Sequence, residues 1–196
     1  MSAEIRQFLN NRGSVPSRLL GDPGPDPAQL QRILEGAMRV PDHGRLAPWR
    51  YLLIERAAGP DLGEWLVRRL LQRDPDASEM AIEKERERFL RAPLTVVVVA
   101  SPEVGHKVPE VEQLLSAGCV GMLLLLHAEL EGLGAQWLTG WPAYDEIALR
   151  ILGVEAHEKV VGFIHIGTAQ GEAPPRERPS YEQLVREWRP ADMPAI

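Results

Sequence analysis

Two short stretches of this chain carry side chains that could hold an anion or line a ligand. In Asn11-Arg12-Gly13-Ser14-Val-Pro-Ser-Arg18, two arginines and a serine follow the end of an amphipathic segment. Guanidinium forks beside a hydroxyl are the donors a phosphate monoester dianion needs. The same residues would also serve as a helix C-terminus with favourable arginine–dipole contacts and a solvated loop. In Arg39-Val-Pro-Asp-His43-Gly-Arg-Leu-Ala-Pro48-Trp49, Arg39 and His43 surround a proline-fixed turn that enters a strand, an arrangement that makes a ligand wall. For His43 the alternative is a histidine satisfied within its own turn. Two further stretches stand out, His106-Lys107-Val-Pro-Glu-Val-Glu112-Gln113-Leu-Leu-Ser116-Ala-Gly-Cys119 and Trp137-Leu138-Thr139-Gly140. Chemistry alone does not say whether His106, Lys107, Glu112 and Gln113 face a cofactor, a substrate or another subunit.

Other chemistries find little support. His106, His127, His157 and His165 form no His-x3-His, Cys-x2-Cys or His-Glu-x2-His pattern, so no metal site is expected. Ser116 lacks the Gly-x-Ser-x-Gly elbow, and Cys119 lies inside an apolar helix, where it is expected in the core and inert. No Gly-x-Gly-x-x-Gly or Walker loop follows a strand, which removes a dinucleotide fold and a nucleoside triphosphate site. A nicotinamide dinucleotide, if used, would bind transiently over another cofactor in an open cleft. No side chain is assigned as a catalytic nucleophile or base.

The elements that must position these residues follow from periodicity. Ile5, Phe8 and Leu9 predict a helix over residues 4–11 with one core face. Asp26 as N-cap and Pro27 at the first helical position begin a second helix, whose stripe Leu30, Ile33, Leu34, Ala37 and Met38 delivers Arg39 at its end. Residues 51–54 and 94–100 read as strands, the second more central because its β-branched residues are continuous. Helices are expected over 61–74 and 77–90. The alternating charges of residues 83–89 predict a solvated, ion-paired face. Residues 109–130 form a long helix, apolar nearly all round in its middle, which its own domain or another subunit must cover. Strands over 135–138 and 159–168 flank a helix over 144–152 that ends at Gly153. A single domain is expected over residues 1–196, with a proline- and charge-rich tail over 172–196 and a short helical pattern at 181–188.

Composition narrows the function classes. At 196 residues the chain should bury roughly 70% of its unfolded surface around one core. A net charge of −6, with basic residues dispersed among acidic ones, leaves no basic stripe for nucleic acid. The uncharged stretch 113–128 is interrupted by Ser116, Gly118, Gly121 and His127, and it reads as a buried helix rather than a membrane span. One cysteine forms no internal disulfide, and no signal peptide or lipidation signal is visible, so a cytoplasmic setting is expected.

Taken in this order and spacing, the four stretches resemble the FMN-dependent NAD(P)H nitroreductase family, and within it a small single-domain branch. The resemblance runs from about residue 8 to about residue 167. It implies an α+β fold with a central, mainly antiparallel sheet flanked by helices, paired as a homodimer through the long helix. It implies FMN as cofactor, held at the dimer interface by residues of both subunits. Arg12 and Ser14 match the family's Arg-x-Ser element, and Gly13, where a second arginine is frequent, keeps only its backbone N–H. Arg18 follows after a longer linker than is usual. Arg39 and His43 match positions that the family places against FMN. Trp137, Leu138 and Thr139 match the strand whose backbone runs along the isoalloxazine ring. His127, Ala128, Glu129, Leu130, Glu131 and Gly132 align with a segment assigned to NAD(P)H contact, for which helix packing is an equal explanation. The implied reaction is ping-pong: hydride passes from NAD(P)H to FMN N5, then electrons pass to a nitroaromatic, quinone or related acceptor. A non-enzymatic flavin-binding or flavin-storage protein on the same fold is the alternative.

Overall fold

The computed structural model describes residues 1–189. In chain order its main elements are α1 (Ser2–Asn11), β1 (Leu20–Gly21), α2 (Pro27–Ala37), β2 (Trp49–Glu55), α3 (Gly59–Arg73) and α4 (Glu79–Arg86). Then follow β3 (Leu94–Ala100), α5 (Glu110–Leu130), β4 (Gly134–Leu138), α6 (Glu146–Ile151), β5 (Lys159–Ala169) and α7 (Tyr181–Leu184).

β3 is buried at every position because helices cover the sheet on both sides, which is why its Val96-Val-Val-Val99 run needs no polar alternation. It pairs antiparallel with β2 on one side and with β5 on the other. β5 also pairs antiparallel with β4 and, at its end, with the short β1. Leu94, Val96 and Val98 face α2 and α5, packing on Ile33, Ala37, Val120, Leu124 and Ala128. Val97 and Val99 face the other way, toward Leu66 of α3, Phe89 and Phe163. The expected α+β architecture is therefore present, with α2 and α5 on one face and α3 and α4 on the other.

Boundaries differ in ways that packing explains. β2 extends beyond residues 51–54 because Trp49 and Arg50 continue the ladder opposite Ala100 and Val99. α4 starts at the Ser78 cap, whose hydroxyl accepts from the Ala81 N–H at 3.3 Å, and stops at Arg86 rather than 90. The helical pattern at 181–188 yields only the four residues of α7, and the expected tail is described as far as residue 189. β1 had no sequence signal beyond the Pro/Gly-rich loop that follows it.

Three expectations require correction. α1 has no buried residue; Ile5 and Leu9 stay exposed, so its apolar stripe has no core face on this chain. Cys119 is exposed, not in the core: α5 packs Ala117, Val120, Leu124 and Ala128 against the sheet, and Cys119 points the other way with Val111, Leu115 and Met122. α5 is long and apolar enough to cross a membrane by composition, but that buried inner face makes it a core helix. Finally, the charged run 83–89 is not wholly solvated, since Glu85 and Arg88 are only 3% and 6% exposed.

Candidate functional site

The arginine–serine loop begins where α1 ends. Arg12 caps α1, its backbone N–H donating to Leu9 O, and its Nη1 donates to Ser14 Oγ at 3.4 Å. Beyond it the buried Ser17 donates its N–H to Gln136 Oε1 at 2.6 Å. Gln136 lies on β4, so one amide clamps the 12–18 loop to the strand that carries Trp137 and Leu138. Arg12 also lies near Glu129 on α5, where burial raises the carboxyl pKa and the arginine's charge opposes that rise. Neither Arg12 nor Arg18 forms a salt bridge among the described residues, which leaves both guanidinium groups able to take an external anion. A Cβ on Gly13 would stand 2.5 Å from Ala173 Cβ, so the start of the tail crosses directly over it. A cavity of about 330 Å³ there is lined by Gly13, Glu129, Gly132 and Gly134, among others.

The second donor group sits on a strained turn. The Asp26 carboxylate accepts from the Gln29 N–H at 2.8 Å while Gln29 Oε1 accepts from the Asp26 N–H at 3.1 Å, a capping box that fixes the start of α2. α2 then ends at Ala37 and hands Arg39 to the turn. Gly44, Arg45 and Ala47 have φ of 78°, 55° and 46°, left-handed backbone that non-glycine residues resist. Asp42 holds this conformation, its carboxylate accepting from the Leu46 and Ala47 N–H groups at 3.2 and 2.8 Å. His43 Nδ1 meets Glu112 Oε2 at 2.7 Å, tying the turn to the first turn of α5. Arg39 makes no ion pair among the described residues.

The same geometry assigns three residues that chemistry left open. Glu112 is the partner of His43. Gln113 is buried and braces the preceding loop, its Oε1 accepting from the Glu103 N–H at 2.8 Å and its Nε2 donating to Val108 O at 3.1 Å. His106 Nδ1 accepts from the Val108 N–H at 3.1 Å within that loop. Lys107 is exposed. At the other end of α5, His127 packs on Gly36 so closely that a Cβ there would lie 2.2 Å from the ring. Glu131 pairs with Arg32 through two contacts of 2.8 and 2.6 Å, which holds its carboxyl below the usual range. Packing of α2 on α5 thus accounts for both residues; Ala128 is buried, while Leu130 and Gly132 are exposed.

β4 carries the third group. Trp137 lies flat between Gly121 and Gly162, where added Cβ atoms would stand 2.7 and 2.1 Å from its indole, and its Nε1 donates to Val161 O at 3.2 Å. Leu138 is half-buried and Thr139 exposed at the strand's end. There Arg88 Nη1 donates to Thr139 O at 3.2 Å, while the rest of the guanidinium grips Glu85 at 2.7 and 2.8 Å. Gln136, Asp42 and the Glu85–Arg88 pair went unassigned in the sequence. Gln136 carried a signal, a polar residue inside an otherwise apolar strand.

Placement separates these groups. The Arg12 loop lies by Glu129 and the His43 turn lies by Glu112, about 25 Å apart along α5 at 1.5 Å per residue. The cavity beside Gly13 includes no residue of the 39–43 segment.

Comparison with known proteins gives a consistent result. A model of the "Nitroreductase family" matches residues 9–168. "Putative NAD(P)H nitroreductase YdjA" of Escherichia coli (strain K12) is 37% identical over 164 residues, covering 84% of this chain and 87% of that protein. A nitroreductase-like family protein from Bacillus cereus superposes with a TM-score of 0.77 at 21% identity, over 94% of this chain and 95% of that one. A nitroreductase with bound FMN from Bacteroides fragilis NCTC 9343 superposes with a TM-score of 0.67 at 19% identity, over 95% and 99%.

Proposed function

Because this chain belongs to the nitroreductase family, we propose that it is an FMN-dependent oxidoreductase. It takes hydride equivalents from NAD(P)H and passes them, in ping-pong order, to a nitroaromatic, quinone or related small acceptor. The observation that carries this reading is the 12–18 loop, whose Arg12 forms no salt bridge among the described residues and whose Ser17 N–H is held by Gln136 of β4. Cationic donors beside a strand edge support a phosphate-tailed aromatic cofactor. FMN supplies the two-electron chemistry at N5 when bound. The chain's part is to hold the phosphate with Arg12, Ser14, the Gly13 N–H and Arg18. Trp137, Leu138 and Thr139 present backbone to the ring, and Arg39 and His43 form the opposite wall. His127 to Gly132 border the proposed NAD(P)H approach.

One chain does not bring these groups together, and we propose that a second copy does. Val111, Leu115, Cys119 and Met122 form an exposed stripe along α5, with Leu115 65% exposed, and α1 leaves Ile5 and Leu9 uncovered. Soluble proteins avoid leaving so much contiguous apolar surface in water. A two-fold axis crossing α5 near Val120 would bury both stripes and bring each His43 turn beside the partner's Arg12 loop. The single exposed cysteine fits a reducing cytoplasm.

Purified protein should take up added FMN and show flavin absorbance, with micromolar or tighter affinity, roughly −8 kcal/mol. Protein that stays colourless after incubation with FMN contradicts the reading.

A further inference from the structure

We infer that the buried Glu85–Arg88 pair is a positioning device for the cofactor face, aiming the peptide that links Thr139 to Gly140. The inference rests on the flavin reading above, because that reading is what gives the end of β4 its role. Glu85 and Arg88 sit on consecutive turns of the segment ending α4, and both are almost fully buried. Their bidentate pairing leaves Arg88 Nη1 free to donate to Thr139 O at 3.2 Å. A buried ion pair is a weak source of stability, because desolvation offsets most of the attraction. The pair therefore contributes little to stability by itself, and the carbonyl it grips gives it another role.

The physical step is the planarity of the peptide. In a trans peptide the C=O and the following N–H point in opposite directions. A Thr139 carbonyl drawn inward onto Arg88 turns the Gly140 N–H outward, and that N–H has no hydrogen-bond partner among the described residues. Gly140 adopts φ 131°, which disfavours side chains, and a Cβ there would stand 3.2 Å from Arg88 Nη2. Donation from a cation to the carbonyl also polarises the amide, so its N–H becomes a stronger donor.

The rest of the turn is held from the same helical layer. Arg69 grips Asp145 at 3.0 and 2.9 Å, and the Arg73 guanidinium lies 4.7 Å from the centre of the Trp141 ring. Asp145 also caps α6, accepting from the Ala148 N–H at 3.0 Å. Arg88 is therefore the member of this set that reaches the last residue of the Trp137–Thr139 stretch. It is a positioning residue: nothing assigns it contact with the cofactor itself.

The test uses the FMN-loaded full chain and the double variant E85L/R88M, which removes both charges together and avoids stranding one in the interior. Thermal melting and circular dichroism establish that it folds. Backbone at the end of β4 faces the ring on the functional reading, so the Gly140 N–H would donate to the flavin and stabilise its electron-rich reduced form; with that N–H less aligned, the reduction potential should move to more negative values. Affinities for riboflavin and FMN should fall by the same factor, about tenfold, because the phosphate clamp is untouched. R88K, which keeps the charge facing Glu85 but lacks the fork needed to reach Thr139 as well, should shift the potential in the same direction and covers the case in which the double variant does not fold. A folded variant with wild-type potential and riboflavin affinity overturns this inference alone. Wild-type protein that binds no flavin overturns the functional reading and this inference with it.

Discussion

The two helical layers of this molecule treat their charges and apolar side chains differently. On the α3 and α4 side, Arg69, Arg73, Arg86, Arg88 and Arg91 all pair with carboxylates of the same chain. On the other side Arg12, Arg18 and Arg39 form no ion pair among the described residues, and Ile5, Leu9, Val111, Leu115 and Met122 stay in water. Most arginines of the first layer are paired within one chain, although Arg68 forms no ion pair among the described residues and Met80 is exposed. The second has arginines without ion pairs among the described residues and an exposed hydrophobic stripe, which support the proposed anionic ligand and second subunit. On the proposed reading, the first layer fixes the end of β4 and the second receives the ligand.

The largest effect that sharpens this contrast should come from the inner face of α5. Leu124 is fully buried among Ile33, Val96 and Ile164, so Leu124→Ala should cost about 2–5 kcal/mol of folding stability. Urea denaturation at several protein concentrations reads it, and the loss should appear in the folding of the chain itself. The outer face should behave in the opposite way. Leu115→Glu puts a charge into the proposed subunit contact and should weaken association by roughly 100-fold or more while leaving the fold intact. Light scattering and sedimentation decide it; an undisturbed dimer would show that the stripe is covered by something else.

His165 tests the first layer. Its ring is buried, with Nδ1 2.9 Å from Thr95 Oγ1 and no partner for Nε2 among the described residues, and burial lowers its pKa to about 4, helped by the charges of Arg88 and Arg91. The unfolded chain therefore takes up a proton near pH 6.5 that the folded chain refuses. Stability from this group is complete above about pH 6.5 and is lost as pH falls toward 4, by roughly 3 kcal/mol in all. Melting temperature measured across that window should slope downward in the wild type and flatten in His165→Gln; equal slopes would remove the histidine from the account. The smallest expected effect lies in the second layer. Arg12→Ala should weaken FMN by about 1.5–3 kcal/mol and leave riboflavin nearly unchanged. Equal losses for both ligands in equilibrium titrations would move Arg12 away from the phosphate.

What the sequence made legible follows from which forces act locally. The Val96–Val99 run announced a strand covered on both faces, and Asp26-Pro27 announced the start of α2, because β-branching and capping are local chemistry. The Arg12 loop and the 39–49 turn stood out by residue type, while their assignment to a cofactor rested on the family resemblance. The outer face of α5 was not, since an apolar helix looks the same whether its own sheet or a partner covers it; Cys119 was placed in the core for that reason. Glu85 and Arg88 were lost inside a charge alternation that reads as solvent-facing, and only the fold shows Phe89 turning that segment inward against Phe163, their rings 5.5 Å apart. The strain at Arg45 and Ala47, and the Asp42 carboxylate that holds it, have no periodic signature at all.

The central claim, that this chain is a flavin-dependent oxidoreductase, is tested most directly by anaerobic stopped-flow absorbance of the FMN-loaded protein mixed with NADH or NADPH. The account predicts that at least one of them bleaches the main flavin band in a two-electron reduction, and that a quinone or nitroaromatic added afterwards restores the colour. This needs no knowledge of the natural acceptor. If neither nucleotide bleaches the bound flavin within minutes, the protein is not such an enzyme, and flavin binding without turnover is the reading that takes its place.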